Sequence, residues 1–231
     1  MYQVQLIESS MGRMNRVVVP GIPHHITQRG VRREQVFFRH DDYTLFANLL
    51  RHFLKKTELR ILAWCLMPNH YHLLAIPPHP KSFADFFAPL HRTYSFIINQ
   101  REGWSGHLWQ ERYTSFPVDN DHAMAAARYI ELNPLRAKLI HSPDEYQWSS
   151  TRAHLTGQED GITDLVSSVN LQHDWKSLLE GGLTDAEIAQ FRDHENKNLP
   201  LGNPQFLEEI RKSFSIPTEP RKRGRPKTNT P

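Results

Sequence analysis

Two short apolar runs set back to back, Leu59 to Met67 and His70 to Ile76, narrow the folds open to this chain more than any other feature. Both are rich in residues that favour extended backbone, and only Pro68 and Asn69 separate them, a pair suited to a tight turn. They read as an antiparallel hairpin. A helical pattern precedes it: Asp41 or Asp42 caps a helix running to about Lys56, in which Tyr43, Phe46, Leu49, Leu50, Phe53 and Leu54 recur at helical spacing. A second helix follows, from Ser82 to about Gln100. Upstream, Arg16 to Gln28 is β-branched and punctuated by Pro20, Gly21 and Pro23, which predicts a bent edge strand. Downstream, Leu108 to Val118 returns as a strand, and Asp119 or Asp121 caps a third helix reaching Asn133. Strand, helix, two strands, helix, strand, helix is the order of an α+β fold. It predicts a ferredoxin-like antiparallel sheet with helices on one face.

The flanks differ in character. Residues 1–13 read as a flexible leader, and beyond Trp148 the apolar density falls. Residues 151–216 read as a small helical extension, with helices over Thr184 to Asn196 and Pro204 to Phe214, and residues 217–231 as a disordered basic tail. The net charge of +3 is distributed unevenly. From Glu219 onward, Arg221, Lys222, Arg223, Arg225 and Lys227 face one acid, a net +4 that leaves −1 for the rest of the chain. The pI of about 9.0 is therefore mostly a property of the tail, and a polyanionic partner has to be argued from local patches. Arg13, Arg16, Arg29, Arg32 and Arg33 form a second basic concentration.

No apolar run approaches the ~18 residues a membrane helix needs, and the first residues lack the order of a signal peptide. A soluble intracellular protein with no membrane partner is the expectation. The single cysteine, Cys65, lies inside an apolar run and reads as core, with no partner for a disulfide or a thiolate zinc site.

Two local patterns carry chemistry. In Met67-Pro68-Asn69-His70-Tyr71-His72, the two histidines stand at i and i+2 of a strand, so both imidazoles share one face and can converge on a divalent ion. Taken alone, the pattern fits two histidines on a solvated face better than a metal pair. In Ala127-Arg128-Tyr129-Ile130-Glu131-Leu132-Asn133-Pro134, Tyr129 and Asn133 are four apart on a helix, placing a nucleophilic phenol beside a neutral amide oxygen. Pro134 disfavours helical geometry for the residue before it, so Asn133 is expected at the helix end. The alternative is a core tyrosine with a capping asparagine.

Four segments in order, PGIPHHITQRG (20–30), LAWCLMPNHYHLL (62–74), GHLWQERYTS (106–115) and RYIELNPLRAKLI (128–140), resemble the REP-associated tyrosine transposases, within the single-tyrosine HUH transposase superfamily. The stretch DHENKNLPLGNPQFLEEI (193–210) resembles an extension that some members carry. The resemblance implies that residues 14–150 form the catalytic domain. His70 and His72 would bind Mg²⁺ or Mn²⁺, with Asn133 in the place of a third ligand, acting directly or through a water. Tyr129 would attack the scissile phosphate of hairpin-bearing single-stranded DNA, leaving a 5′-phosphotyrosine and a free 3′-OH that later reverses the step. Tyr113 and Tyr94 compete for the nucleophile's role but lack a polar partner at i+4. Ordinary imidazoles with pKa near 6.5 would lose the ion as pH falls through about 6.

Arg29, Arg32, Arg33 and Arg112 are candidates for phosphate contacts, and Trp104, Trp109 and Phe116 for base stacking. His25 either reaches the active-site face or is structural. Arg223 and Arg225 resemble the core of an AT-hook, which would take A/T-rich duplex flanks. A nucleoid-associated location in a bacterial-type cytoplasm follows from the resemblance, as does a choice between monomer and dimer in which the monomer is preferred. The competing class is a non-catalytic nucleic-acid-binding regulator on the same fold. A small-molecule phosphohydrolase would need carboxylate ligands, and no acidic cluster accompanies the histidines in sequence.

Overall fold

The computed structural model describes residues 18–171 and 174–219. Four strands, β1 (His24–Arg29), β2 (Arg60–Met67), β3 (His70–Ile76) and β4 (Thr114–Pro117), form an antiparallel sheet in the order β2-β3-β1-β4. Two long helices make the crossovers: α1 (His40–Leu54) joins β1 to β2, and α2 (Ser82–Glu102) joins β3 to β4. This is the ferredoxin-like α+β arrangement that the sequence predicts.

The hairpin forms as expected, with Met67 opposite His70 across the turn. Two expectations change. The first strand is central, flanked by β3 and β4. Its prolines do not bar that position, because the strand begins only at His24 and Pro20 to Pro23 lie in the turn that leads into it. The last strand is also shorter than Leu108 to Val118: the polar stretch Gln110 to Arg112 stays irregular, and Trp109 makes a single bridge to Gly30. Gly30 is obligatory, since a Cβ there would meet Glu34 O and Val36 Cγ1 well inside van der Waals contact. The residues after it, Arg32 and Arg33, hold left-handed φ values of 52° and 64°.

Strand alternation assigns the two faces. Ile26, Tyr71 and Leu73 join Phe46, Phe83, Phe87 and Leu90 in the core beneath α1 and α2. Leu74, Cys65 and Phe116 join the opposite core with α3 (Asn120–Glu131), whose Ala123, Ala126, Ala127 and Ile130 pack on the sheet. Helices α1 and α2 thus share one face as expected, and the second face is covered by α3 and by the segment that follows it.

Helix α3 begins at Asp119, which accepts from His122 N at 2.8 Å as an N-cap, and ends at Glu131. Asn133 then opens a short helix, α4 (Asn133–Arg136), with Pro134 in its first turn, where a missing N–H costs nothing. Beyond it come α5 (Thr151–Thr156), α6 (Leu165–Leu171), α7 (Trp175–Glu180), α8 (Asp185–Lys197) and α9 (Pro204–Phe214). The last two match the helices read from sequence.

The extension is fastened to α3 by a buried carboxylate. Glu131 is fully buried and accepts from Ser150 Oγ, from Trp175 Nε1 at 2.8 Å and from His154 Nδ1 at 2.6 Å. Glu131→Ala leaves these donors without a partner in the core. It should lower the unfolding free energy by about 3 kcal/mol, measurable as a shifted denaturant midpoint at unchanged m-value. A midpoint equal to that of the wild type would show that water replaces the carboxylate without cost.

Among the described residues, no helix is long and apolar enough to cross a membrane.

Candidate active site

The face of the sheet under α3 gathers polar groups in a row. On β3, His70 and His72 alternate with Tyr71, so both face α3 while Tyr71 enters the opposite core. On β1 the same alternation brings His25, Thr27 and Arg29 to this face, and the register sets Thr27 opposite His72 and Arg29 opposite His70. The His70 and His72 rings lie 4.9 Å apart between centroids, close enough to serve one site.

Tyr129 of α3 hangs over this row. Its ring centroid is 5.7 Å from that of His72 and 5.7 Å from that of His25, both edge to face. The residue is 3% exposed. Burial raises the phenol's pKa above its ordinary value, and nearby Glu195 adds to this, while Arg136 and Arg192 act in the opposite direction. The Arg136 guanidinium stacks 4.1 Å from the Tyr129 ring centroid and donates to the Tyr129 carbonyl at 3.0 Å. Tyr94 and Tyr113, the competing phenols, belong to the core under α1 and α2, on the other side of the sheet from the histidines.

Helix α8 crosses the same face from the extension. Phe191 stacks on Tyr129 with centroids 4.9 Å apart, Arg128 of α3 pairs with Glu187, and Asn198 Oδ1, just past the helix end, accepts from Ser115 N at 3.3 Å. These contacts set Glu195 against the row. Its Oε1 is 3.3 Å from Thr27 Oγ1, 3.4 Å from His72 Nδ1 and 3.7 Å from His25 Nε2. His72 Nδ1 lies 3.1 Å from His25 Nε2 and 2.9 Å from Thr27 Oγ1. Burial raises the Glu195 pKa to about 7, against the pull of Arg29, Thr27, Arg136 and Arg192.

His25, His72 and Glu195 are the one group among the described residues whose donor atoms lie close enough together to hold a metal ion. Their chemistry suits one: two imidazole nitrogens and a carboxylate oxygen turned toward one another supply donors for a divalent cation, and otherwise need shared protons to coexist.

A sequence model described as "Transposase IS200 like" matches residues 18–133, half of the chain and the part that carries all four strands of the described residues together with Tyr129. The chain belongs to the IS200-like transposase family. Among solved structures, this transposase is similar to one described as a REP-associated tyrosine transposase bound to a REP hairpin. The two are 19% identical with a TM-score of 0.51, over 67% of this chain and 94% of that one, a likeness of fold. A transposase-like protein of Deinococcus radiodurans R1 also aligns, at 19% identity over 58% of this chain and 92% of its own, with a TM-score of 0.35. No curated protein matches the chain.

Within this transposase, the candidates read from sequence differ in where they fall. Tyr129, His70 and His72 meet at one site. Asn133 lies beside Tyr129 with both ends of its amide engaged: Nδ2 donates to the Tyr129 carbonyl at 3.1 Å, and Oδ1 accepts from Arg136 Nη2 at 2.6 Å. Arg29 is half-buried beside His70, and Arg32, Arg33 and Arg112 are exposed. Trp109 and Phe116 are core residues, which leaves Trp104, 49% exposed, as the accessible stacking candidate. Arg223, Arg225 and the rest of the tail lie outside the described residues, as do residues 1–17.

One sequence expectation is corrected. Burial lowers the pKa of His70 to about 3 and that of His72 well below 6.5, with neighbouring cationic groups adding to the effect. Burial thus favours the neutral, ligating form of both rings and moves their expected loss of the ion to lower pH than ordinary imidazoles would show.

Sequence reading missed Glu195, Arg136 and Phe191, and left His25 open. Glu195 sits in the stretch 193–210 and Arg136 in the stretch 128–140, both noted as motifs, but nothing in local spacing connects either residue to the histidines.

Proposed function

We propose that this transposase cuts and rejoins single-stranded DNA near hairpins through a covalent tyrosyl intermediate, with Tyr129 as nucleophile and His70 and His72 at the metal site. The observation that carries this reading is the placement of Tyr129 at 5.7 Å from His72, on the same face of the sheet and away from every competing phenol in the core under α1 and α2.

Tyr129 Oη attacks the scissile phosphorus, an Oη–P bond forms as the P–O3′ bond breaks, and the departing 3′ oxygen gains a proton while the phenol loses one. A buried phenol whose pKa is raised is a weak nucleophile. His70 and His72 would hold Mg²⁺ or Mn²⁺, and such an ion would supply the missing activation by polarising the phosphate and favouring phenolate. Arg136, stacked on the Tyr129 ring and bonded to its carbonyl, holds the phenol in position. The positive charge of Arg136 and Arg192 also favours a phosphate beside the phenol. Since the phosphodiester energy is kept in the phosphotyrosine, a 3′-OH can reverse the step without a nucleotide cofactor.

Arg29, Arg32, Arg33 and Arg112 contact the phosphate backbone in this reading. The tail, through Arg223 and Arg225, adds affinity for A/T-rich duplex flanks. Removing the tail from Arg221 onward should shallow the dependence of log K on log[salt] by at most about 4.5, the limit for five contacts to duplex. An unchanged slope would exclude the tail from binding.

Incubation with a hairpin-flanked single strand and Mn²⁺, followed by denaturing gel electrophoresis, tests the reading. The expected result is a protein–DNA adduct that survives denaturation and is absent in EDTA. The second reading, a non-catalytic nucleic-acid-binding regulator, is favoured by the cover that α8 places over Tyr129, and it predicts hairpin binding without an adduct.

A further inference from the structure

The geometry points to Glu195 and His25 as ligands of the active-site divalent cation together with His72, so that helix α8 of the C-terminal extension completes the metal centre. This rests on the reading of His72 as a metal ligand and adds to it the ligands that no local motif supplies.

The three donor atoms, His25 Nε2, His72 Nδ1 and Glu195 Oε1, form a triangle with edges of 3.1, 3.4 and 3.7 Å. Ligands bound at about 2.1 Å stand about 3.0 Å apart at octahedral angles and about 3.4 Å apart at tetrahedral ones. The observed edges are close to those of three ligands around one small ion.

His72 Nδ1 faces His25 Nε2, Thr27 Oγ1 and Glu195 Oε1 together, whereas His70 Nδ1 is held by Asn69 Oδ1 at 2.6 Å. Two imidazoles alone are a poor site for Mg²⁺ or Mn²⁺, which favour oxygen donors. Asn133, the oxygen donor four residues after Tyr129, has its Oδ1 taken by Arg136. Glu195 brings an anionic oxygen, and Thr27 lies 3.3 Å from it, placed to orient the carboxylate from outside the ligand set.

Glu195 is not carried there by an untethered segment. Helix α8 starts at a capping box between Thr184 and Glu187, is joined to α3 through Arg128 and Glu187, buries Phe191 against Tyr129, and ends at Asn198, which holds Ser115 N. The side chain is presented by a docked helix to a preformed pair of rings, the preorganisation a metal site requires.

Mn²⁺ binding by the full chain without DNA, followed by electron paramagnetic resonance, provides the test. Wild type, Glu195→Gln, His25→Gln and His72→Ala would be compared, with thermal melts to establish that each is folded. Glu195→Gln keeps the shape and removes the charge, so it reads ligation with the least disturbance of packing. The inference expects the Kd for Mn²⁺ to rise by more than about 100-fold in Glu195→Gln, beyond the cost of losing an outer-shell partner, and adduct formation by that variant to recover at raised Mn²⁺. A Glu195→Gln affinity equal to wild type, with His72→Ala binding lost, would overturn the inference and leave the metal reading standing; helix α8 would then be a cover over the site. No Mn²⁺ binding by the wild type would overturn both.

Discussion

Tyr129→Phe should reduce covalent adduct formation to background, a loss of at least about 10⁴-fold on the scale seen when a covalent nucleophile is removed. The substitution deletes one oxygen and keeps the ring that packs on Phe191 and under Arg136, so the fold and the site's shape are retained. Affinity for a hairpin-bearing strand should stay within about twofold of wild type, because the attacking oxygen contributes to the transition state and not to the contacts that hold the strand. Binding by gel shift and adduct formation by denaturing gel, measured on the same protein, separate the two effects. Residual adduct at wild-type rate would move the nucleophile to another residue. It would also demand a rearrangement, since Tyr94 and Tyr113 lie in the core under α1 and α2.

The second large effect is expected at His72, which faces His25, Thr27 and Glu195 from the middle of the polar row. His72→Ala should abolish cleavage and weaken Mn²⁺ binding by more than about 100-fold, since second-shell substitutions alone cost about 10- to 100-fold. It also opens a cavity at a position only 2% exposed, so a thermal melt must accompany the measurement. His70→Ala should lower cleavage as well, at a position less fully buried than His72 and with less cost to the fold. Cleavage by either variant at the wild-type rate would remove that histidine from the metal site.

The parts of this site that were legible in sequence are those governed by short-range geometry. An i, i+2 relation on a strand is enough to place His70 and His72 on one face and Tyr71 on the other, as strand β3 bears out. Helical spacing likewise puts Asn133 beside Tyr129, and Asn133 does bond the Tyr129 carbonyl, although it starts a new helix there and does not end the old one. The order of strands and helices was legible for a similar reason: two crossovers around a two-residue hairpin leave few ways to close an antiparallel sheet.

Long-range contacts were not legible. His25 enters the site because β1 pairs with β3 in a register that sets Thr27 against His72, and no residue within β1 announces that register. Glu195 meets Thr27 across 168 positions of sequence, delivered by packing of Phe191 and pairing of Arg128 with Glu187. The sequence places no acidic cluster beside the histidines, which argued against a phosphohydrolase; the carboxylate that does meet them, Glu195, is remote in the chain. The lowered basicity of the histidines was hidden for the same reason, because burial, which lowers the pKa of His70 to about 3, is a property of the folded core.

The most direct test of the account is to digest the adduct formed with a hairpin-flanked single strand in Mn²⁺ and locate the modified peptide by mass spectrometry. The account predicts one nucleotide-bearing peptide, modified at Tyr129 through a phosphodiester to the 5′ end of the cleaved strand. A modification on any other residue, or cleavage of the strand with no protein-bound nucleotide, would contradict it.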